Sequence, residues 1–305
     1  MSSDSPAAVR TPGFAYAFAA YVAWGGFPLY WKQLGHVPPV ALVAHRVVWS
    51  FVFVAGLLTL RRRWPETLAV LRNGRVLAAL LLSTTLISFN WGLYIWAVNS
   101  GRIVEGSLGY YINPLANVVL ARLFLGERLR WLQLGAVGLA ALGVLNLAVG
   151  LGQVPWVSLA LAGSFSLYGL VRKLAPVESL TGLVVETGLA APVALGVLLL
   201  GGWEQPVLGS TPRDTLLLLF SGVATALPLL WFSQAARRLR YSTLGIIQYT
   251  SPTLQLALAV LVYGESFTSR HAVTFACLWT GVVLYAFDGL WAARMPAPTP
   301  AGQGT

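Results

Sequence analysis

Four ionisable side chains stand inside long apolar runs: His45 and Arg46 in ALVAHRVVWSF, Glu186 in TGLVVETGLAA, and Asp288 in VVLYAFDGLWAA. A charge at bilayer depth costs from about 2.5 to more than ~10 kcal/mol, so it usually faces a cavity or a partner. Arg46 is read as a substrate-binding cation. Desolvation and neighbouring cations together set whether a buried carboxyl is ionised or neutral. Glu186, with His45, is therefore read as a proton-coupling site. The competing reading of these residues is a buried structural set that fixes the helices. Asp288 lies near the end of its run and reads as interfacial. Two further runs each hold a glycine and a proline: Gly109 with Pro114, and Gly245 with Pro252. Proline removes a helical donor and frees a carbonyl, and such breaks persist in membranes where a cavity satisfies the backbone. Tyr110, Tyr111 and Asn113 accompany one break, and Gln248, Tyr249 and Ser251 the other. Asn90, Trp91, Trp96 and Asn99 add polar and aromatic surface, or else interhelical bonds and an aromatic belt.

No GxxxxGK[ST], HExxH, GxSxG or CxxC occurs, so the chain carries no P-loop, zincin or hydrolase signature. The lone Cys277 gives no disulfide framework, His36 and His271 have no spaced ligand partners, and no cofactor or metal is expected.

The elements that carry these residues are membrane helices. Of 305 residues, 57% are hydrophobic and 10% charged, against about 25% charged in soluble domains. A spanning helix needs about 20 apolar residues. The chain supplies candidates near 13–31, 39–60, 76–98, 106–125, 131–149, 156–171, 180–200, 214–235, 243–263 and 271–292. The ends, 1–12 and 293–305, read as disordered cytoplasmic tails. With the N-terminus inside, fifteen of the twenty basic residues fall in inside segments. Lys32, Arg102, Arg213 and Arg270 fall outside, and Arg46 lies within a span. That is the positive-inside pattern, with both termini cytoplasmic. It also accounts for the net charge of +10 without nucleic acid. On this layout Arg46 lies about 10 Å from the outer edge and Glu186 about 9 Å from the inner edge. Their depths differ by roughly 11 Å, a gap that two extended side chains nearly close.

SLGYYINPLANVVLARLFLGERLR (107–130) resembles STLGIIQYTSPTLQLALAVLVYGESFT (242–268). Pro114 and Pro252 stand 138 apart, as do the pairs Gly126-Glu127 and Gly264-Glu265, and Leu29-Tyr30 and Leu167-Tyr168. The GE pairs read as helix C-caps. Repeats over 13–149 and 156–292 hold five spans each. With an odd number of spans, the second copy enters the membrane inverted, the recurrent design of secondary transporters with a midplane site.

At HRVVWSF (45–51), NWGLYIWAVNSGRIVEGSLGYYINPL (90–115), FLGERLR (124–130), SLYGLVRK (166–173), TGLVVET (181–187) and RLRYSTLGIIQYTSPT (238–253), the chain resembles the RarD subgroup of the EamA-type drug/metabolite transporters. The resemblance implies ten helices in two inverted five-helix repeats around a central cavity. It also implies transport of a small molecule, usually export, and RarD members carry a chloramphenicol-linked name. The expectation is an all-α polytopic protein of the cell membrane whose partners are a small-molecule substrate and the lipid bilayer. The exporter would be proton-coupled or facilitative. The competing classes are a membrane-embedded enzyme acting on lipid, which needs paired acid–base or nucleophilic groups at one depth, and a structural or partner-binding membrane protein.

Overall fold

The computed structural model describes residues 6–150, 152, 154–203, 208–264 and 267–294. Among the described residues the regular elements are all helical: α1 (Pro6–Trp31), α2 (Pro39–Leu60), α3 (Trp64–Arg72), α4 (Gly74–Asn99), α5 (Ile103–Phe124) and α6 (Trp131–Val149) form the first half. The second half holds α7 (Trp156–Leu174), α8 (Ser179–Leu200), α9 (Pro212–Arg238), α10 (Tyr241–Gln248), α11 (Thr250–Leu261) and α12 (Ser269–Arg294). Helix α1 begins at Pro6, so half of the segment read as a tail is helical. The short α3 links α2 to α4.

Among the described residues seven segments are long and apolar enough to cross a membrane: α2, α4, α6, α8, α9, α10–α11 taken together, and α12. Helices α5 and α7 spend polar side chains on each other. Asn113 Nδ2 donates to the Ala162 carbonyl at 2.9 Å and to Ser166 Oγ at 3.0 Å, and Ser158 Oγ to the Glu105 carbonyl at 2.6 Å. Large apolar side chains point outward instead, among them Leu60, Leu123, Leu200 and Leu261. In water this exterior would be a liability; in lipid it is the favourable one.

Helix α2 packs on α8 and α9, and α8 on α4; α1 packs on α9 and α11, and α7 on α4 and α5; α5 meets α10, and α6 meets α12. Exchanging α1 for α7, α2 for α8, α4 for α9, α5 for α10–α11 and α6 for α12 returns the same set of pairings. One detail repeats at residue level. A Cβ on Gly143 would stand 3.0 Å from the Thr274 carbonyl oxygen, and one on Gly281 would stand 2.6 Å from that of Ala136. Both members of the first contact, shifted by 138, give the second. Likewise Asn113 bonds the Ala162 carbonyl and Gln255 Nε2 bonds that of Trp24 at 3.2 Å, two acceptors 138 residues apart.

The proline-linked breaks differ between halves. Helix α5 runs unbroken through Pro114, whereas the helix before Pro252 is interrupted at Tyr249. Around Pro114 the backbone is clamped: Ser166 Oγ donates to the Asn113 carbonyl at 3.3 Å. A Cβ on Gly245 would lie 2.8 Å from the Pro114 carbonyl oxygen. Gly245 therefore serves close approach of α10 to α5 rather than a break of its own helix. Gly126 (φ 62°) and Gly264 (φ 69°) are left-handed. Gly126 follows the Leu125 cap at the end of α5, as its sequence predicted.

Candidate functional site

A cavity of about 700 Å³ lies where the two halves meet. Its walls come from the C-terminal halves of α1 and α4, the N-terminal halves of α2, α5 and α7, the middle of α9, and α11 with the last residue of α10. It opens at the end of the bundle that holds Lys32, Pro39 and Tyr263. Its floor is aromatic: Trp24 and Phe165 line it, packed on Phe232 at ring-centre distances of 5.7 and 5.4 Å, with Tyr168 stacked beyond at 6.3 Å.

Arg46 enters this cavity from the second turn of α2. Its guanidinium carbon is 4.8 Å from the Trp31 ring centre and 5.2 Å from that of Trp91, and Nε donates to Thr225 Oγ1 at 3.0 Å. The indole faces and one hydroxyl replace some of the water that burial removes. Asn90, Trp91, Tyr110, Asn113, Gln248 and Ser251 also line the wall, as do Gly109 and Pro252. Several polar groups are already committed. Asn90 Nδ2 bonds the Leu161 carbonyl (2.8 Å) and Ser164 Oγ (2.9 Å), and Gln248 Oε1 accepts from Asn117 at 2.9 Å.

His45, Tyr111, Glu186 and Tyr249, and the helix-break candidates Pro114 and Gly245, lie outside the cavity wall. Helix geometry explains three of these. Neighbours in a helix point about 100° apart. When Arg46, Tyr110 and Gln248 face the cavity, His45, Tyr111 and Tyr249 turn away. His45 Nδ1 accepts from Trp49 Nε1 at 3.2 Å. Tyr111 meets Phe275 of α12 edge-on at 5.9 Å, and Tyr249 is buried between α5, α6 and α12. Trp96 packs on Trp156 with ring centres 5.5 Å apart and planes tilted by 45°, away from the cavity. The Asn99 side chain and Glu265 lie outside the described residues.

Glu186 does not reach toward Arg46. Its Oε1 lies 3.6 Å from Nε of Arg172, on α7, and accepts from Ser83 Oγ. Arg172 is 1% exposed, and its Nη2 also donates to the Ser179 carbonyl (3.1 Å) and Ser233 Oγ (3.0 Å). A Cβ on Gly182 would lie 2.0 Å from its Nη1, so the glycine leaves the guanidinium the room it occupies. This network ties α4, α7, α8 and α9 together below the aromatic floor. Two further contacts close the same end: Tyr241 Oη donates to the Ser166 carbonyl at 2.6 Å, and Lys173 Nζ to the Ala236 and Leu239 carbonyls at 2.7 and 2.6 Å. Sequence alone placed Arg172 and Lys173 among solvated loop charges, because they end an apolar run. Asp288 is paired as well, 3.2 Å from Arg130 Nη2 at the start of α6. Thr225 had no signal in the sequence.

Glu127 has a role that its place beside a capping glycine did not reveal. Its carboxylate accepts from the N–H groups of Tyr241 (2.7 Å) and Ser242 (3.3 Å) and from Ser242 Oγ (2.6 Å). It thus caps the N-terminus of α10, in the other half, where free donors and the helix dipole favour an anion.

The EamA-like transporter family model matches the chain twice, over residues 11–149 and 154–287. The chain belongs to this family, in its RarD-type branch. It is 46% identical over 280 residues to "Uncharacterized transporter YojE" of Bacillus subtilis, covering 90% of this chain and 94% of that protein. It is 44% identical over 285 residues to "Protein RarD" of Salmonella typhimurium, covering 92% and 97%. A solved crystal structure superposes with a TM-score of 0.72 at 21% identity, covering 93% of this chain and all of that one, which speaks to fold alone. This EamA-type chain is a multi-pass membrane transporter.

Proposed function

We propose that the chain is a secondary transporter, acting as an exporter, that moves small organic solutes by alternating access. In this reading all ten expected spans cross the cell membrane, as two inverted five-helix repeats with both termini in the cytoplasm. The observation that carries it is a cavity at the junction of the halves, open at one end and closed at the other by aromatic packing and a buried ion pair. The exchange of packing partners between halves, down to the Gly143 and Gly281 contacts, supports a two-fold relation between repeats. Five spans per repeat place that axis in the membrane plane. Helices α1, α5 and α7 are the less apolar spans; in α5 and α7 the polar faces are buried against each other.

With the N-terminus inside, the mouth lined by Lys32 and Tyr263 faces out and the Arg172–Glu186 end faces the cytoplasm. The structure then represents an outward-open state. Arg46, Trp91, Tyr110 and Gln248 contact solute. Glu186 is the proton-coupling residue, and it becomes reachable only when the sealed end opens and Arg172 moves away. A lipid-modifying enzyme is the weaker reading, because among the described residues the cavity wall holds Arg46 and Lys32 but no Asp, Glu, His or Cys to serve as an acid–base pair or thiol nucleophile.

The test is counterflow by purified protein in liposomes, with an imposed pH gradient and a panel of amino acids, metabolites and amphenicols. Saturable, protein-dependent exchange of at least one solute is expected. A new lipid product without exchange would overturn the reading. Glu186→Gln is expected to abolish the pH dependence; transport and pH response equal to wild type would remove Glu186 from coupling.

A further inference from the structure

The cavity wall carries two cations and, among the described residues, no carboxylate. Lys32 sits at the mouth, its Nζ 3.6 Å from the centre of the Tyr263 ring. Arg46 lies deeper, its guanidinium carbon over the rings of Trp31 and Trp91. Among the described residues no acidic side chain lies within ion-pair distance of Arg46, and its hydrogen bond is the one from Nε to Thr225. Arg172, Arg102 and Arg130 differ: each has a carboxylate oxygen within 3.6 Å. Indole faces stabilise a guanidinium but bring no negative charge. A half-buried cation without a counter-ion has lost part of its hydration, and an occupant that supplies the charge offsets that loss.

The geometry also selects the shape of the counter-ion. With Nε committed to Thr225 and the two indole rings 4.8 and 5.2 Å from the guanidinium carbon, the Nη edge holds no hydrogen bond among the described residues. That edge binds a carboxylate through two parallel hydrogen bonds. The rest of the wall is largely apolar and aromatic, with Trp24, Phe27 and Phe165 among its lining residues. A volume of about 700 Å³ falls within the range of roughly 300–1,000 Å³ that holds drug-sized molecules.

We infer that this cavity takes organic monoanions: a carboxylate on an aromatic or apolar body, with the carboxylate held by the Arg46 edge. This deepens, and rests on, the transporter reading of the same cavity. The site disfavours an ammonium group on the solute. Two cations repel it, no wall carboxylate accepts from it, and Gln248 Oε1 is already bonded to Asn117.

The experiment compares three probes of one shape, phenylacetate, phenylacetamide and phenethylamine. Each is measured as counterflow by the purified full chain in phosphatidylcholine liposomes without anionic lipid. Protein-free liposomes are subtracted, and a neutral amphenicol is run alongside. The acid is expected to move about tenfold faster than the amide, the low end for a charge-assisted hydrogen bond, and the amine not at all. Arg46→Gln is expected to bring the acid-to-amide ratio to about 1, whatever the absolute rates. Arg46→Lys, a point charge without the fork, is expected to restore part of the ratio. Equal acid and amide flux in the wild type, or an Arg46→Gln protein that keeps the preference, overturns the inference. Movement of the amphenicol without the acid also overturns it and leaves the transporter reading standing. If neither acid nor amphenicol moves while a solute of the wider panel does, the inference fails alone; if nothing in either set moves, the transporter reading fails, and this inference with it.

Discussion

Glu186→Gln tests whether a buried ion pair holds one end of the bundle shut. The substitution keeps an oxygen that accepts from Ser83 but removes the charge opposite Arg172, whose Nε lies 3.6 Å away. Removing one partner of a buried pair typically costs about 3–5 kcal/mol. Arg172 keeps its bonds to the Ser179 carbonyl and Ser233 Oγ, which puts the expected cost at the low end, about 3 kcal/mol. If that cost falls on the sealed state, the equilibrium toward opening rises by roughly 150-fold. The reporter is Thr181→Cys in a Cys277→Ala background. Thr181 lies in the first turn of α8 and is 1% exposed, and its hydroxyl has no hydrogen-bond partner to lose. Labelling by a membrane-impermeant maleimide in inside-out vesicles is expected to accelerate by about two orders of magnitude in Glu186→Gln. Combining Arg172→Met with Glu186→Leu removes both charges and is expected to return the rate to within about tenfold of wild type. A Glu186→Gln rate within twofold of wild type, at unchanged melting temperature, would refute the latch.

Two other substitutions address the frame around the cavity. A Cβ at Gly222 would stand 2.2 Å from the backbone carbon of Trp49, so Gly222→Val is expected to part α9 from α2 and cost at least about 1–3 kcal/mol; an unchanged melting temperature in detergent would contradict this. Glu127→Ala leaves the first N–H groups of α10 uncapped, a loss of about 0.5–2 kcal/mol. Amide exchange over 241–248 should then quicken by up to roughly 30-fold, and protection equal to wild type would dismiss the cap.

The helical layout was readable from the apolar runs: nine of the ten expected segments correspond to one helix each, and the tenth to the pair α10–α11. Repeat spacing was readable as well, since the offset linking Pro114 to Pro252 also links Gly143 to Gly281 in space. Pairing between distant charges was not. Arg172 looks like a loop residue beside Lys173, and only the tertiary packing of α4, α7, α8 and α9 turns it toward Glu186. Adjacent residues misled in another way. Tyr110 with Tyr111, and Gln248 with Tyr249, were assigned to one site although successive helical positions diverge by about 100°. The fate of each proline depended on neighbours: α7 and α10 clamp Pro114, while the chain before Pro252 is interrupted at Tyr249.

Distance measurement between spin labels tests alternating access most directly. One pair, at Ser100 and Phe267, spans the loops at the open end; the other, at Arg128 and Pro176, spans those at the sealed end. Saturating substrate and a pH gradient are expected to populate a state in which the first distance shortens while the second lengthens in the same molecules. Two distances that stay fixed while solute crosses the membrane, or that widen together, would contradict the rocking of one half against the other.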